Sequence, residues 1–190
     1  GSGKTTQIRH AVNFLRRKGY SVVFFREPGG TRASEAIRRV LLNRHLRGML
    51  PETELLLYLA ARAQLVREKI EPAIKKKMVV VLDRYEDSTL AYQGYGHGIP
   101  IGMIREMSLF ARGLREPDLT FLLDVDTRKG LQRGGRRDRV ERKSLAFHRR
   151  VRLGFLELAR RQRNRFIVIP AHATIEEARR KIEVKLNALF

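Results

Sequence analysis

The chain has 190 residues, 43% of them hydrophobic, which suits one sizeable core better than two domains. It contains no cysteine, so disulfides, thiolate metal sites and cysteine nucleophiles are excluded, and its five histidines lack zinc-site spacing. Its 40 Lys and Arg against 20 Asp and Glu give a formal net charge of +20, which favours phosphorylated or nucleic-acid partners without choosing between them.

Apolar runs rich in β-branched and aromatic residues alternate with helix-length segments. In chain order, the predicted strands are residues 21–25, 78–82, 119–125 and 166–169. The predicted helices are about 4–17, 33–42, 52–74, 101–112, 144–163 and 175–188. Because continuous apolar runs separated by helices are typical of buried parallel strands, we predict one α/β domain over residues 1–190, with helices on both faces of a parallel sheet.

The chain begins with the end of the phosphate-loop pattern G-x-x-x-x-G-K-[ST]. The residues expected to bind ATP phosphates are Gly1, Ser2, Gly3, Lys4, Thr5 and Thr6. Backbone N–H groups at a helix N-terminus, a lysine charge and a hydroxyl for Mg²⁺ are what these phosphates require, and Thr5 is the expected metal ligand. The first glycine of the pattern and the apolar strand before it are not among these residues, so we expect weak folding or low activity of this stretch alone.

Charged residues follow two predicted strands, at the sheet edge where ligands of parallel sheets bind. Strand 78–82 is followed by Asp83 and Arg84, and strand 21–25 by the turn Arg-Glu-Pro-Gly-Gly-Thr at 26–31. We expect Asp83 beside Mg²⁺ and Arg84 on an acceptor phosphate. The proline and two glycines predict a tight turn that lets backbone approach a ligand closely.

Two further patterns have a plain and a functional interpretation. Tyr58 and Arg62 lie four residues apart in a predicted helix, so they share a face that suits either ordinary packing or stacking and hydrogen bonding to one base. The cationic, glycine-containing stretch 133–139 is either a surface turn or the main part of a lid at about 133–142. The phosphate-site signals elsewhere in the chain favour the lid.

The motifs form one ordered set from residue 1 to about residue 160. They are GSGKTTQ at 1–7, REPGGT at 26–31, DRY at 83–85 with Ser88, AYQG at 91–94, PDLT at 117–120 leading into LDV at 123–125, DRVE at 138–141, and FH at 147–148 with the helix from Val151. Together they resemble bacterial or archaeal thymidylate kinases. The resemblance implies a three-layer P-loop NTPase sandwich whose parallel sheet normally has five strands, the first central one absent here.

The resemblance also implies an activity: transfer of the γ-phosphoryl group of ATP, with Mg²⁺, to thymidine 5′-monophosphate (dTMP) by a homodimer. Lys4 would contact the transferring group, and Tyr58 would stack on thymine where the family commonly has Phe. The other implied contacts are Arg62 on a base carbonyl oxygen, Thr89 and Gln93 near the base edge, Arg84 and Arg38 on the monophosphate, Glu27 near the acceptor phosphate, and Tyr92 under the deoxyribose.

Members of this family take a transition-state arginine from either the phosphate loop or the lid. The loop position is Gly1, so the lid residues Arg136, Arg137 and Arg139 are the candidates. An arginine that arrives when a lid closes would stabilise charge on the transferring oxygens while water is excluded.

Two other functions stay open at this stage. One is a kinase of another pyrimidine monophosphate, and the other is a basic nucleic-acid-binding P-loop protein. The second lacks aromatic residues interleaved with a basic patch, so nucleic acid is not a required partner. With no run of about 18 apolar residues and no signal-peptide pattern, we expect a soluble, cytoplasmic protein that does not bind membranes.

Overall fold

The computed structural model describes residues 2–46, 48–132 and 138–190. Its helices are α1 (Lys4–Arg17), α2 (Arg32–Leu42), α3 (Pro51–Leu65), α4 (Glu71–Lys75), α5 (Glu86–Thr89), α6 (Ile101–Arg112), α7 (Thr127–Gln132), α8 (Leu145–Arg161) and α9 (Ile175–Asn187). Its strands are β1 (Val22–Arg26), β2 (Val79–Asp83), β3 (Thr120–Leu123) and β4 (Phe166–Ile169). Two π-helical segments, Val66–Ile70 and Leu90–Gly96, continue α3 and α5. Gly1, Arg136 and Arg137 lie outside the described residues.

The strands in the described part of the chain form two parallel pairs. β1 pairs with β2, from Val22 opposite Val79 to Arg26 opposite Asp83, and β3 pairs with β4 in the same sense. No ladder joins β2 to β3 in these ranges, and a cavity of about 1100 Å³ is lined by both strands. The predicted α/β class with parallel strands is confirmed, with two pairs in place of one continuous sheet.

Side chains along β2 alternate between two hydrophobic clusters. Val79 and Val81 pack with α1 and α9. Val80 and Leu82 pack with the C-terminal end of α3 and the π-helical segment after it. Because successive strand residues point to opposite faces, the helices cover both faces of the strands, as predicted.

Residues 86–96 differ most from the sequence-based prediction, which assigns them no helix. The structure folds them as α5 and the second π-helical segment. A Cβ atom at Gly94 would collide with Ile101 Cδ1, and one at Gly96 would lie 2.8 Å from Phe147 Cε2. Glycine weakens a helix, but these two positions allow close packing against α6 and α8. Tertiary packing therefore overrides the local preference.

Two buried carboxylates fix the start of this segment. Glu86 pairs with Arg112 Nε at 2.7 Å, and burial raises the pKa of Glu86 while Arg112 opposes the shift. Asp87 pairs with Arg165 Nη2 at 2.6 Å and accepts a hydrogen bond from the Thr120 hydroxyl at 3.1 Å. These contacts join α5 to α6 and to the β3–β4 pair.

Candidate active site

The loops after β1 and β2 lie side by side at the carboxyl ends of these strands. The N–H group of Glu27 donates to the carbonyl oxygen of Asp83 at 2.9 Å, one position beyond the strand register. Glu27, Asp83 and Arg84 all line the cavity, together with Lys4 from the first turn of α1. The structure thus brings three separate sequence motifs to one place.

The described part of the phosphate loop leads directly into α1. Gly3 precedes the helix with φ of 80°, in the left-handed region that favours glycine. Ser2 and Lys4 line the cavity, whereas Thr5 and Thr6 are exposed on the first turn. The free N–H groups of a helix N-terminus therefore lie beside the cavity, as an anion site requires.

Lys4 shares its surroundings with charges from the end of β2 and from the C-terminal part of the predicted lid. The charge of Arg84, aided by burial, lowers the pKa of Lys4 to about 8, and Asp83 and Glu141 oppose that shift. Two cations held this close repel each other. A phosphate group between them would relieve the repulsion, which favours anion binding at this position.

Asp83 provides an unpaired carboxylate oxygen. Its Oδ1 atom is buried and has no hydrogen-bond partner among the described residues. A buried carboxylate without a partner is destabilising, so the position fits a divalent cation. The described ranges contain no group of three or more His, Cys, Asp or Glu suited to a metal. A cation here would therefore need hydroxyl, water and phosphate ligands as well.

Arg84 has a strained backbone. Its φ is 72°, a left-handed value that costs a non-glycine residue about 1–3 kcal/mol. Its guanidinium donates to the Tyr92 hydroxyl at 3.3 Å and to Ser88 Oγ at 3.5 Å, and lies 5.0 Å from the centroid of the Tyr92 ring. Strain that surrounding contacts hold in place is typical of functional positions, so it supports a ligand-binding role for Arg84.

The turn after β1 depends on glycine, as the sequence predicts. Gly29 and Gly30 have φ of 142° and 87°, and the Gly30 N–H donates to Glu35 Oε1 at 3.0 Å. On the next helix, Arg38 donates to the carbonyl oxygen of Pro28 at 2.8 Å and lines the cavity. The turn therefore positions the guanidinium of Arg38 at the cavity edge.

Arg62 and Glu27 form a buried ion pair in the cavity wall. Their side chains are 1% and 5% exposed, and Arg62 Nε and Nη2 donate to Glu27 Oε2 at 3.0 and 2.8 Å. Burial raises the pKa of Glu27, and the Arg62 guanidinium opposes that shift. Nη2 also donates to the Thr89 hydroxyl at 2.8 Å. Nη1 is buried with no partner among the described residues, so it is an available donor for a ligand.

Two tyrosines and a glutamine complete the wall near Arg62. Burial raises the pKa of the Tyr58 hydroxyl, which is therefore neutral at physiological pH. The Tyr92 ring packs edge-on against Phe155, with centroids 6.2 Å apart. Gln93 is 1% exposed. The predicted dTMP contacts that line this one cavity are Arg38, Tyr58, Arg62, Arg84, Thr89, Tyr92 and Gln93.

Glu54 is a buried residue that the sequence analysis does not single out. It accepts hydrogen bonds from Gln93 Nε2 at 2.7 Å, Arg139 Nη2 at 2.6 Å and Lys143 Nζ at 3.0 Å. Burial by itself raises the pKa of Glu54, yet a hydrogen bond from His97 and the charge of Lys143 outweigh it and hold that pKa well below its usual range. Glu54 is therefore an ionised acceptor that joins α3 to the second π-helical segment and to the loop before α8.

Arg139 is the one lid candidate that the structure describes. Its side chain is 9% exposed and donates to the carbonyl oxygen of Leu41 at 2.8 Å as well as to Glu54. These contacts attach the C-terminal part of the predicted lid to α2 and α3. The sequence signal that could have identified Glu54 is its helical spacing, because Glu54 precedes Tyr58 by four residues and shares its face of α3.

Two ligand regions meet at the carboxyl ends of β1 and β2. The N-terminus of α1 and Lys4 suit a triphosphate, and the wall between α3 and the second π-helical segment suits a nucleobase. Arg84 contacts Tyr92 of that wall and is electrostatically coupled to Lys4. A P-loop fold with a phosphate-donor region beside a nucleotide acceptor region defines a nucleoside monophosphate kinase.

Comparison with known proteins narrows this class. The sequence profile described as thymidylate kinase matches residues 1–182. The chain is 45% identical over 185 residues to the thymidylate kinase of Kosmotoga olearia, covering 96% of this chain and 88% of that protein. It is 49% identical over 170 residues to the thymidylate kinase of Carboxydothermus hydrogenoformans, covering 88% and 83%.

A solved structure gives the same result. The crystal structure of thymidylate kinase from Ehrlichia chaffeensis matches with a TM-score of 0.76 and 32% identity, covering 100% of this chain and 92% of that one. The chain belongs to the thymidylate kinase family. The fold and the ATP-dependent dTMP kinase activity predicted from the sequence are thereby confirmed.

Proposed function

We propose that the chain, acting as one nucleotide-kinase domain, transfers the γ-phosphoryl group of ATP to dTMP to give dTDP for dTTP synthesis. The observation that carries this proposal is the single cavity shared by Lys4, Arg84 and the expected base contacts. The family gives the reaction, and the cavity gives residues with the required charges and hydrogen-bonding groups.

Lys4 and the backbone of the phosphate loop bind the triphosphate of ATP. Arg84 and Arg38 hold the monophosphate of dTMP, so that its attacking oxygen lies in line with the γ-phosphorus. Phosphoryl transfer needs little covalent help from a protein, and most of the rate enhancement comes from such positioning and charge neutralisation. The mutual repulsion of Lys4 and Arg84 supports this assignment, because it is relieved when phosphates bind.

Magnesium is the expected cofactor, bound together with ATP. The unpaired Oδ1 of Asp83 and the exposed hydroxyl of Thr5 would hold it. When bound, the ion neutralises charge on the β- and γ-phosphate oxygens.

The base lies against Tyr58, and the free Nη1 of Arg62 donates to a carbonyl oxygen of thymine. Glu27, expected near the acceptor phosphate, is hydrogen-bonded to Arg62, so we assign it to orienting that guanidinium. Tyr92, packed edge-on against Phe155, lies under the deoxyribose and disfavours a 2′-hydroxyl.

The transition-state charge is stabilised by the lid. Because Arg139 is bound to Glu54 and to the Leu41 carbonyl, we assign it to anchoring the end of the lid. The arginine that reaches the transferring group is then Arg136 or Arg137.

The enzyme works in the cytoplasm on free nucleotides, and nucleic acid is not required. In the described ranges, none of the helices has the length and hydrophobicity needed to span a lipid bilayer. The cavity accounts for both substrates, and the excess positive charge increases their local concentration near the site.

A coupled assay of ADP formation tests the function. With ATP and Mg²⁺, we expect turnover with dTMP to exceed that with dUMP, dCMP and dGMP. Higher turnover with another monophosphate would reassign the substrate. A salt-dependent DNA shift without any ADP formation would favour a nucleic-acid-binding protein.

The exposed apolar face of α6 supports a homodimer. Met103 and Phe110, two helical turns apart, are 52% and 89% exposed, and Leu114 just after the helix is 88% exposed. On the adjacent helix α3, Leu56 is 55% exposed. Neighbouring exposed apolar side chains of this kind are typical of a protein–protein interface.

Phe110→Glu should therefore convert the dimer to a monomer. A carboxylate at this position would be desolvated without a partner if the interface formed. Sedimentation equilibrium should give the mass of one chain for this variant and of two for the wild type. Val184→Glu on α9, where Val184 is 66% exposed, is the matched control and should keep the wild-type mass. An unchanged mass for the Phe110 variant would contradict this interface.

A further inference from the structure

Glu54 lies directly behind one of the residues that face the base. Gln93 lines the cavity, whereas Glu54 does not. Both are fully buried, at 1% and 0% exposure, and Gln93 Nε2 donates to Glu54 Oε1 at 2.7 Å. Gln93 is therefore the residue through which Glu54 makes a direct hydrogen-bonded connection to the cavity.

The charge of Glu54 determines which end of the Gln93 amide it binds. An ionised carboxylate only accepts hydrogen bonds, so the amide NH₂ group must face it. Arg139 Nη2 at 2.6 Å and Lys143 Nζ at 3.0 Å supply two positive charges that keep Glu54 ionised. A flipped amide would place its oxygen against the carboxylate, with two acceptors facing each other and no donor between them.

Because the orientation of the Gln93 amide is fixed, its carbonyl oxygen, Oε1, is available to accept a hydrogen bond from a ligand. No donor in residues 2–46, 48–132 or 138–190 is hydrogen-bonded to this oxygen. Thymine and uracil carry an N–H group at N3, which an acceptor can bind, whereas cytosine has a lone pair at N3, which an acceptor repels. The free Nη1 donor of Arg62 also favours thymine and uracil over cytosine. It can donate to a carbonyl oxygen of thymine or uracil, whereas cytosine carries an amino group at that position.

We propose that Glu54 is a positioning residue that makes the site select bases with an N3–H group, thymine and uracil, over cytosine, by fixing the orientation of the Gln93 amide. The inference rests on the proposed function, because it concerns the base pocket of the same acceptor site. It adds a specificity-determining residue that does not touch the substrate.

The variant Glu54→Gln tests this role. An amide at position 54 can donate to Gln93 Oε1 as well as accept from Nε2, so Gln93 is free to present its NH₂ group to the base. We expect kcat/KM and calorimetric affinity for dTMP and dUMP to fall in parallel, and the dTMP-to-dCMP ratio to fall by about tenfold to a hundredfold. General loosening of the fold would lower kcat/KM and affinity for all three nucleotides together and leave the dTMP-to-dCMP ratio unchanged.

Lys143→Met is the matched control, because it removes another partner of Glu54 while Arg139 still keeps the carboxylate ionised and the contact with Gln93 stays intact. Its dTMP-to-dCMP ratio should equal that of the wild type. If Glu54→Gln does not fold, the double variant Glu54→Gln/Lys143→Met removes a cation together with the anion, and it is compared with Lys143→Met alone.

The outcomes separate this inference from the proposed function. The inference would be overturned if the dTMP-to-dCMP ratio were unchanged in the Glu54 variants, or if it changed equally in Lys143→Met. It would also be overturned if kcat/KM and affinity for dUMP did not fall in parallel with those for dTMP. Failure of the wild-type enzyme to form ADP with dTMP would overturn the function instead. Calorimetric titration with the three nucleotides would still test the inference in that case.

Discussion

Alanine at Arg136 or Arg137 should lower kcat for dTMP phosphorylation by about 10³-fold or more in at least one of the two variants, with a much smaller change in KM for dTMP. The charge of the transferring group spreads over three oxygens in the transition state, and the phosphate loop offers only Gly1 at the position where a side chain could reach it. We therefore expect a lid arginine to supply that charge. Steady-state kinetics with ATP and dTMP measures the effect.

Arg139→Ala should behave differently from its two neighbours. It removes one of several donors to the buried Glu54 carboxylate and the side-chain donor to the Leu41 carbonyl, so we expect a loss of about 1–3 kcal/mol in the free energy of unfolding and a smaller loss in kcat. Arg160→Ala is a surface control, since Arg160 is 63% exposed, and it should change neither quantity. Unchanged turnover in all three lid variants would rule out a lid arginine. A dominant kcat loss in Arg139→Ala would assign the role to that residue.

Arg62→Met should lower the free energy of unfolding by about 3–5 kcal/mol, because it leaves the buried carboxylate of Glu27 without its cation. The same change removes the free Nη1 donor, so dTMP binding should weaken as well. Denaturant unfolding without nucleotide measures the stability, and calorimetric titration with dTMP measures the affinity.

The double variant Arg62→Met/Glu27→Met separates these two effects. Replacing both partners of a buried ion pair by apolar residues is often neutral or stabilising, so most of the lost stability should return. The affinity for dTMP should stay low, because the donor to the base is still missing. Recovery of dTMP affinity in the double variant would show that Arg62 acts only on the fold and not on the base.

Local patterns in the sequence predicted most of the regular structure. α1, α6 and β4 have the predicted bounds, and β1 and β2 are each shifted by one residue. These elements have strong hydrophobic periodicity or continuous apolar runs, which depend only on neighbouring residues. The predicted helix 52–74 instead contains the π-helical segment Val66–Ile70, a difference that periodicity does not detect.

The sequence also indicated which residues share the cavity, because each motif follows a predicted strand or lies on one helix face. It could not show how those residues pair with one another. Arg62 binds Glu27 and Thr89, although 35 and 27 residues separate them along the chain. Such pairings depend on which strand ends and helix faces meet, and no local pattern records that.

The sequence by itself thus determined the α/β class, the family and the polar candidate residues that share the cavity, because these residues belong to motifs that can be read from their local spacing. Only the tertiary structure decided the two strand pairs, the helical conformation of residues 86–96 and the role of Glu54. In each of these three cases, buried polar groups or closely packed side chains contact residues that are distant in the sequence. Those partners exist only once the fold has formed.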